Sequence, residues 1–202
     1  MAVRQDLAAV VLAAGYSRRM GAFKPLLPFG STTVIERILT TLREAGIDTV
    51  RVVVGWNAQI LIPVLERCGI PWVRNERFED GMFSSVQAGV RSLPSGLRAF
   101  FIQPGDMPLV QPATLTRLIA AWDAQPGGTL YPCYQGRRGH PPLIAVDYIP
   151  EILLTTPSAV LRELLARHAE DARDIEVADP GILVDLDTPD DYQESLRGDP
   201  SG

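Results

Sequence analysis

At 202 residues, 46% hydrophobic and 21% charged, the chain is long enough to bury one substantial core and too evenly composed for a disordered or fibrous protein. A formal net charge of -5 removes the basic footprint that sequence-independent DNA or RNA binding needs, while local cations can still hold a small anion. Two cysteines, Cys68 and Cys133, make neither a disulfide scaffold nor a metal-ligand spacing, and no stretch approaches the roughly 18–20 apolar residues of a membrane span, so the expected setting is the cytoplasm, with neither nucleic acid nor membrane as partner.

Leu7–Ala14 is an apolar run ending at Gly15. Arg4 precedes it, as in a signal peptide, but Asp6 beside it and Arg18 and Arg19 after it argue instead for a first strand buried on both faces, over Ala8–Ala13. Val34, Ile35, Ile38, Leu39 and Leu42 then repeat at helical spacing, with Thr33 and Glu36 as a capping box and Gly46 as a stop. Val50–Val54 reads as a second buried strand, followed by a short helix broken or kinked near Pro63 and a strand at Trp72-Val73.

After the turn at Asp80-Gly81, Ser84–Leu93 reads as a helix and Arg98–Gln103 as a strand ending in Pro104-Gly105-Asp106-Met107-Pro108. A helix opens with Pro112 in its first turn and carries Leu115, Leu118 and Ile119 on one face. Strand-like pieces at Thr129–Tyr131 and Leu143–Val146 flank a loop, Gln135–His140. A helix over Val160–Arg167, strands at Ile175–Val177 and Ile182–Asp185, and a helix after Pro189 complete the chain. Alternation of strand and helix over the first 125 residues, then a mixed order, predicts an α/β sandwich with a mainly parallel sheet. No repeat or linker divides it, so residues 1–197 are expected to form one domain, with 198–202 a flexible tail.

The loop Leu12–Leu26 follows the first strand at the end where open α/β sheets place ligands. Gly15 and Gly21 allow tight turns, Ser17 carries a hydroxyl, and Arg19 and Lys24 add two positive charges, a combination suited to a polyphosphate. Neither the dinucleotide pattern nor the P-loop is present. A surface loop with incidental basic residues has the same composition. Asp106, at the end of another buried strand, would face the same crevice, and a lone carboxylate suffices for a magnesium ion that keeps most of its waters. A Gly-Asp turn before proline looks the same without any ligand.

The motif Leu-Ala-Ala-Gly-x-Ser-x-Arg-Met-Gly-x-x-Lys from Leu12 resembles the signature loop of the nucleotidyltransferases related to the molybdopterin guanylyl- and cytidylyltransferases. Further similarities follow in the same order: Asn75-x-x-Phe78-x-x-Gly81-Met82-Phe83-Ser84-Ser85, the Gly105-Asp106-Met107-Pro108 turn, Gly139-His140-Pro141, and Asp185-Leu186-Asp187-Thr188-Pro189. The resemblance spans Val10–Tyr192 and implies a Rossmann-like three-layer α/β/α fold. It implies that Leu12, Ala13, Ala14, Gly15, Ser17, Arg19, Lys24 and Ser85 bind a nucleoside triphosphate. It further implies that Arg19, Lys24 and Asp106 are catalytic and that Asp106 and Asp187 hold Mg²⁺, with Mn²⁺ as a substitute.

On residue chemistry alone, Ser84 and Ser85 equally suit helix N-caps, Thr188-Pro189 an ordinary helix start, and His140 a structural role. The resemblance places His140 on the acceptor side. Leu-Ala-Ala-Gly resembles the CTP-using branch of the family, and with the Gly-His-Pro segment the resemblance implies CTP as the nucleotide, molybdopterin as the phosphorylated acceptor and brief contact with a molybdenum enzyme. Alternatives are a guanylyl enzyme, a sugar- or alcohol-phosphate nucleotidyltransferase, or a non-catalytic cofactor-binding accessory protein. Thr156–Arg162 departs from the cytidylyltransferase pattern, and that segment lies near the acceptor in the family.

Overall fold

The structure, a computed structural model, describes residues 3–17 and 19–197; the tail expected at 198–202 lies outside the described residues. Its strands are β1 (Leu7–Ala13), β2 (Pro28–Phe29), β3 (Thr32–Thr33), β4 (Thr49–Val54), β5 (Trp72–Arg74), β6 (Ala99–Pro104), β7 (Thr129–Tyr134), β8 (Arg137–Arg138), β9 (Leu143–Ala145) and β10 (Ala172–Glu176). Its α-helices are α1 (Val34–Glu44), α2 (Ala58–Arg67), α3 (Met82–Arg91), α4 (Pro112–Ala124), α5 (Ile149–Leu154), α6 (Leu161–Ala166) and α7 (Pro189–Arg197).

The main sheet runs β10-β7-β9-β6-β1-β4-β5, with β8 paired to β7, while β2 and β3 form a small hairpin apart from it. The pairs β1–β4, β1–β6, β4–β5 and β7–β10 are parallel. Every antiparallel pairing in this sheet involves β8 or β9. This is the three-layer, mainly parallel arrangement that the strand–helix alternation implies, with the mixed order confined to the part after residue 125.

β1 lies at the centre because its sequence tolerates no water: every residue but Leu12 is buried. It pairs with β4 on one side and β6 on the other, so the chain builds outward to β5 and then returns to the opposite side of β1. That reversal of winding direction opens a crevice at the carboxyl ends of β1 and β6, where doubly wound sheets bind ligands. The register brings Leu12 opposite Pro104, and Gly105 N–H donates to Leu12 O at 2.9 Å. A Cβ on Gly105 would stand 2.6 Å from that same oxygen, so only glycine lets the two strand ends meet this closely.

α1 begins with the anticipated capping box, Thr33 Oγ1 accepting from Glu36 N–H and Glu36 accepting from Thr33 N–H. Its buried face is Val34, Ile35, Ile38, Leu39 and Leu42, the residues marked by their spacing. α3 packs on β1 and β4 at Gly89, whose missing side chain leaves room for Val10 and Val53.

Three expectations need correction. The stretch Ile182–Asp185 is not a strand: Pro180–Leu183 forms a 3-10 turn, because Asp179 accepts from Gly181 N–H and Gly181 is pressed against Leu109 O. Of the two readings at Pro63, a break or a kink, the break is excluded: α2 runs through it, at the cost of the one hydrogen bond that proline cannot donate. α3 starts at Met82, capped by Gly81 rather than by a serine, so Ser84 and Ser85 lie inside its first turn and are not N-caps. The β2–β3 hairpin, β8 and α5 were not foreseen; each has at most six residues, too few to display a period.

Candidate active site

The loop after β1 leaves the sheet at Ala14, whose carbonyl accepts from Trp56 N–H at 3.1 Å. It reverses at Ser17, which takes a left-handed φ of 51°, and Met20 N–H closes the turn onto Ser17 O at 3.1 Å. Ser17 Oγ then accepts from Lys24 N–H at 3.3 Å, and a 3-10 turn at Lys24–Leu26 brings the chain back towards the sheet. A cleft of about 200 Å³ opens between this loop, the start of α3 and the end of β6. Leu12, Ala13, Ala14, Gly15, Ser17, Lys24, Ser85 and Asp106 all line it. Phe78, Met82, Pro25, Pro104 and Gly105 complete its wall; all five lie in segments marked in the sequence, though none was singled out as a site residue.

Lys24 is the focus of the charged end. Although only 8% exposed, its Nζ lies 2.9 Å from Asp106 Oδ2 and 2.8 Å from Asp187 Oδ1. Arg19, largely exposed and outside the cleft wall, reaches Asp187 Oδ2 at 2.8 Å. Burial alone would lower the Lys24 pKa, but the hydrogen bonds and charges of Asp187 and Asp106 outweigh it and the net shift is upward. The Lys24 hydrogen bond is also the main reason that Asp187 sits below the usual carboxylate value, with Arg19 adding to it.

Two backbone features place these acids together. Asp106 lies in the turn just after β6, beside the close Gly105–Leu12 approach, and its carbonyl accepts from Leu186 N–H at 3.0 Å, drawing the Asp187 segment alongside. The start of α7 is handled by other residues: Thr188 N–H donates to Asp191 at 2.8 Å and Asp191 N–H to Thr188 Oγ1 at 3.2 Å. Asp187 is therefore not consumed by the cap. Asp185, which was given no role from sequence, feels the charge of this cluster: desolvation first, then the charges of Asp187 and Asp106, push its carboxyl above the usual value.

His140 enters from the neighbouring strand. β9 runs antiparallel to β6, so the residues preceding it lie at the crevice end of the sheet. His140 N–H donates to Ile182 O at 2.9 Å, and the Asp106 charge is felt at its ring. The residue keeps solvent contact, yet the protein around the imidazole disfavours its charged form, leaving its pKa below the ordinary value despite Asp106. His168 lies elsewhere, paired with Glu151 at 2.7 Å and packed edge-on against Tyr148.

The arrangement is one of fixed cations and carboxylates at the end of a mostly apolar slot. Asp106 and Asp187 direct oxygens at a single point that already holds a positive group, which is the donor chemistry a hard divalent cation requires.

The chain is similar over nearly its whole length to known nucleotidyltransferases. Molybdenum cofactor cytidylyltransferase of Escherichia coli is 26% identical over 91% of this chain and 92% of its own length. Molybdenum cofactor guanylyltransferase of Mesorhizobium japonicum is 26% identical over 96% of this chain and 97% of its own. Among solved structures, Rv0371c of Mycobacterium tuberculosis superposes with a TM-score of 0.83 at 29% identity, covering 98% of this chain and 99% of that one. A second structure of Rv0371c, in complex with manganese, matches with a TM-score of 0.76 at 25% identity, over 96% of this chain and 100% of that one. The model of the MobA-like NTP transferase domain matches residues 9–172, a span that includes the cleft, Lys24 and Asp106, and the chain belongs to this nucleotidyltransferase family.

Proposed function

We propose that this enzyme transfers CMP from CTP to the phosphate of molybdopterin, releasing pyrophosphate. An oxygen of the acceptor phosphate attacks the α-phosphorus in line; the new P–O bond forms as the bond to the β-phosphate oxygen breaks, and that oxygen leaves with pyrophosphate. The observation that carries this reading is the meeting of Lys24 with Asp106 and Asp187 at the charged end of the cleft.

In this reading the backbone from Leu12 to Gly15 and the Ser85 side chain hold the nucleoside, and Ser17 braces the loop. Lys24 and Arg19 neutralise the triphosphate and the charge that accumulates on the leaving group. Asp106 and Asp187 are the residues that would hold Mg²⁺, or Mn²⁺ in its place. When bound, that ion supplies charge neutralisation across the phosphates. No group in this cluster has to form a covalent bond, so the chain contributes positioning and electrostatics. His140, which precedes the antiparallel β9 and is not part of the cleft wall, is the residue this reading assigns to the acceptor.

The choice of CTP rests on the Leu12–Gly15 sequence, Leu-Ala-Ala-Gly, and on the Gly139-His140-Pro141 segment. The cytidylyl and guanylyl relatives are equally similar to this chain, so GTP is the competing triphosphate. Residues 1–197 act as one domain in this account, in the cytoplasm. Cys68 and Cys133 are both unpaired, and no helix among the described residues is long and apolar enough to cross a membrane. Product handover involves brief contact with a molybdenum enzyme.

The test incubates CTP, GTP, ATP and UTP separately with molybdopterin and with common sugar phosphates, in Mg²⁺, and measures pyrophosphate. Release is expected with CTP and molybdopterin. Preference for GTP overturns the cytidylyl assignment, and preference for a sugar phosphate overturns the acceptor. No release above background with any pair favours a non-catalytic binding protein.

A further inference from the structure

Asn75 follows β5, where its N–H donates to Val54 O at 2.8 Å, and it is only 6% exposed. Its side-chain amide has no choice of orientation. The backbone N–H of Arg77, which can only donate, lies 2.9 Å from Oδ1, so the oxygen end is assigned by chemistry. Nδ2 is then left to donate both hydrogens, to Ser84 Oγ at 2.8 Å and to Ser85 Oγ at 2.9 Å. The buried amide is fully used.

The two serines that receive these hydrogens end up in different states. Ser84 Oγ returns its own hydrogen to backbone, with Arg77 O at 2.8 Å and Gly81 O at 2.7 Å. Ser85 lines the cleft, and among the described residues its hydroxyl has the Asn75 donor as its partner and no acceptor for its hydrogen. A hydroxyl that is already accepting from a fixed amide offers its hydrogen elsewhere, and the remaining open direction is the cleft. Phe78, Met82 and Ala14 form apolar wall around it, which suits a flat heterocycle better than a phosphate.

We propose that Asn75 is a positioning residue that sets the polarity of the nucleoside end of the cleft. By donating to Ser85 it makes that hydroxyl a donor towards the ligand, so the base edge entering here must present an acceptor, a carbonyl oxygen or a ring-nitrogen lone pair. The inference rests on the nucleotide reading of the cleft and deepens it by naming the complementary group.

The discriminating variant is Asn75→Asp. It keeps the oxygen that Arg77 N–H needs and has the same shape, but replaces the Nδ2 donor with an acceptor. Ser85 then turns its hydrogen to the new carboxylate and presents lone pairs to the cleft. Dissociation constants are measured by calorimetry on the full chain in Mg²⁺, for the preferred nucleoside triphosphate and for inorganic tripolyphosphate, which has no base. Losing one buried hydrogen bond should weaken nucleotide binding about tenfold. Tripolyphosphate should stay within about twofold, and in turnover the loss should fall on KM rather than kcat.

Ser85→Ala should give a similar loss, and the double variant little more than either single, because both act through one hydroxyl. Should Asn75→Asp fail to fold, Ser85→Ala and Asn75→Ser carry the same comparison. Unchanged nucleotide affinity in these variants, or equal weakening of tripolyphosphate, overturns the proposal. If the wild-type chain binds no nucleoside triphosphate more tightly than tripolyphosphate, the nucleotide reading itself has failed, a result distinct from the previous two.

Discussion

The Lys24 ammonium stands 2.8 Å from the Asp187 carboxylate across 163 residues of sequence, and the same nitrogen touches Asp106 at 2.9 Å. One side chain from the N-terminal part therefore occupies the point at which an acid from the middle of the chain and one from its C-terminal part converge. A divalent ion and this ammonium compete for the same oxygens. Lys24→Met should accordingly tighten Mn²⁺ binding in the absence of nucleotide, by about tenfold or more, the scale of one competing charge in a partly wet site. Pyrophosphate release should fall by about 100-fold or more, since triphosphate charge loses its buried partner. Manganese titration followed by electron paramagnetic resonance reads the first effect; unchanged or weaker binding contradicts the competition.

Asp106→Ala should abolish turnover, by about 100-fold or more, with the fold intact. The backbone carbonyl that holds Leu186 survives the substitution, and the lost side chain is partly exposed. Pyrophosphate release and a thermal unfolding midpoint, measured on the same preparation, separate the two effects. A fully active variant removes the metal-binding role from this residue.

The charged cluster also predicts how stability follows pH. Asp187 has a folded pKa below the ordinary value of 3.8, held there mainly by the Lys24 hydrogen bond, so its contribution is complete above that value and is lost as pH falls through the depressed one. Lys24 has a folded pKa above the ordinary value of 10.5, so its contribution is complete below that value and is lost as pH rises through the elevated one. The difference in unfolding midpoint between wild type and Lys24→Met should be flat between those limits and should change at both ends. A difference that varies steadily through neutral pH would assign the coupling to other groups.

Gly89 offers a test of packing independent of the chemistry. A Cβ there would lie 2.2 Å from Val10 Cγ1 and 3.0 Å from Val53 Cγ2, both in the fully buried layer between α3 and the sheet. Gly89→Ala should destabilise the protein by about 1–3 kcal/mol, the range for overpacking a filled core, despite alanine's better helix propensity. Urea unfolding measures it, and a stability equal to or above wild type would show that α3 can move away from β1.

Much of this was legible in sequence because β1, α1 and β6 announce themselves through unbroken burial or a capped helical period, and because the residues of the phosphate loop are consecutive. The convergence of Lys24 with Asp106 was implied by two strand ends pointing the same way, and the two side chains do meet, at 2.9 Å. The part that stayed hidden depends on contacts between distant segments. Ile182–Asp185 carries the apolar composition of a strand, but Asp179 and the close packing of Gly181 on Leu109 bend its start into a 3-10 turn. Asp185 stood in the motif without a role, because desolvation and the charges of Asp187 and Asp106, which raise its carboxyl above the ordinary value, act on it only in the folded chain. Asn75 stood inside a recognised pattern without a role, because its effect passes through the hydroxyl of another residue.

The reversed direction of β9 has a consequence for how such an enzyme could change its preferences. In a wholly parallel sheet, the connection after each strand must cross back before the next strand begins; here the segment Gln135–Pro142, which carries β8, leaves β7 and turns directly into β9 at the same end of the sheet. Gly139 N–H donates to Pro132 O and Ile102 N–H to Pro142 O, so the returning arm is tied to the sheet while the tip, Gln135–Arg138, is open to solvent. Changes of length and composition are best absorbed at that tip, with least disturbance to the turns that follow β1 and β6.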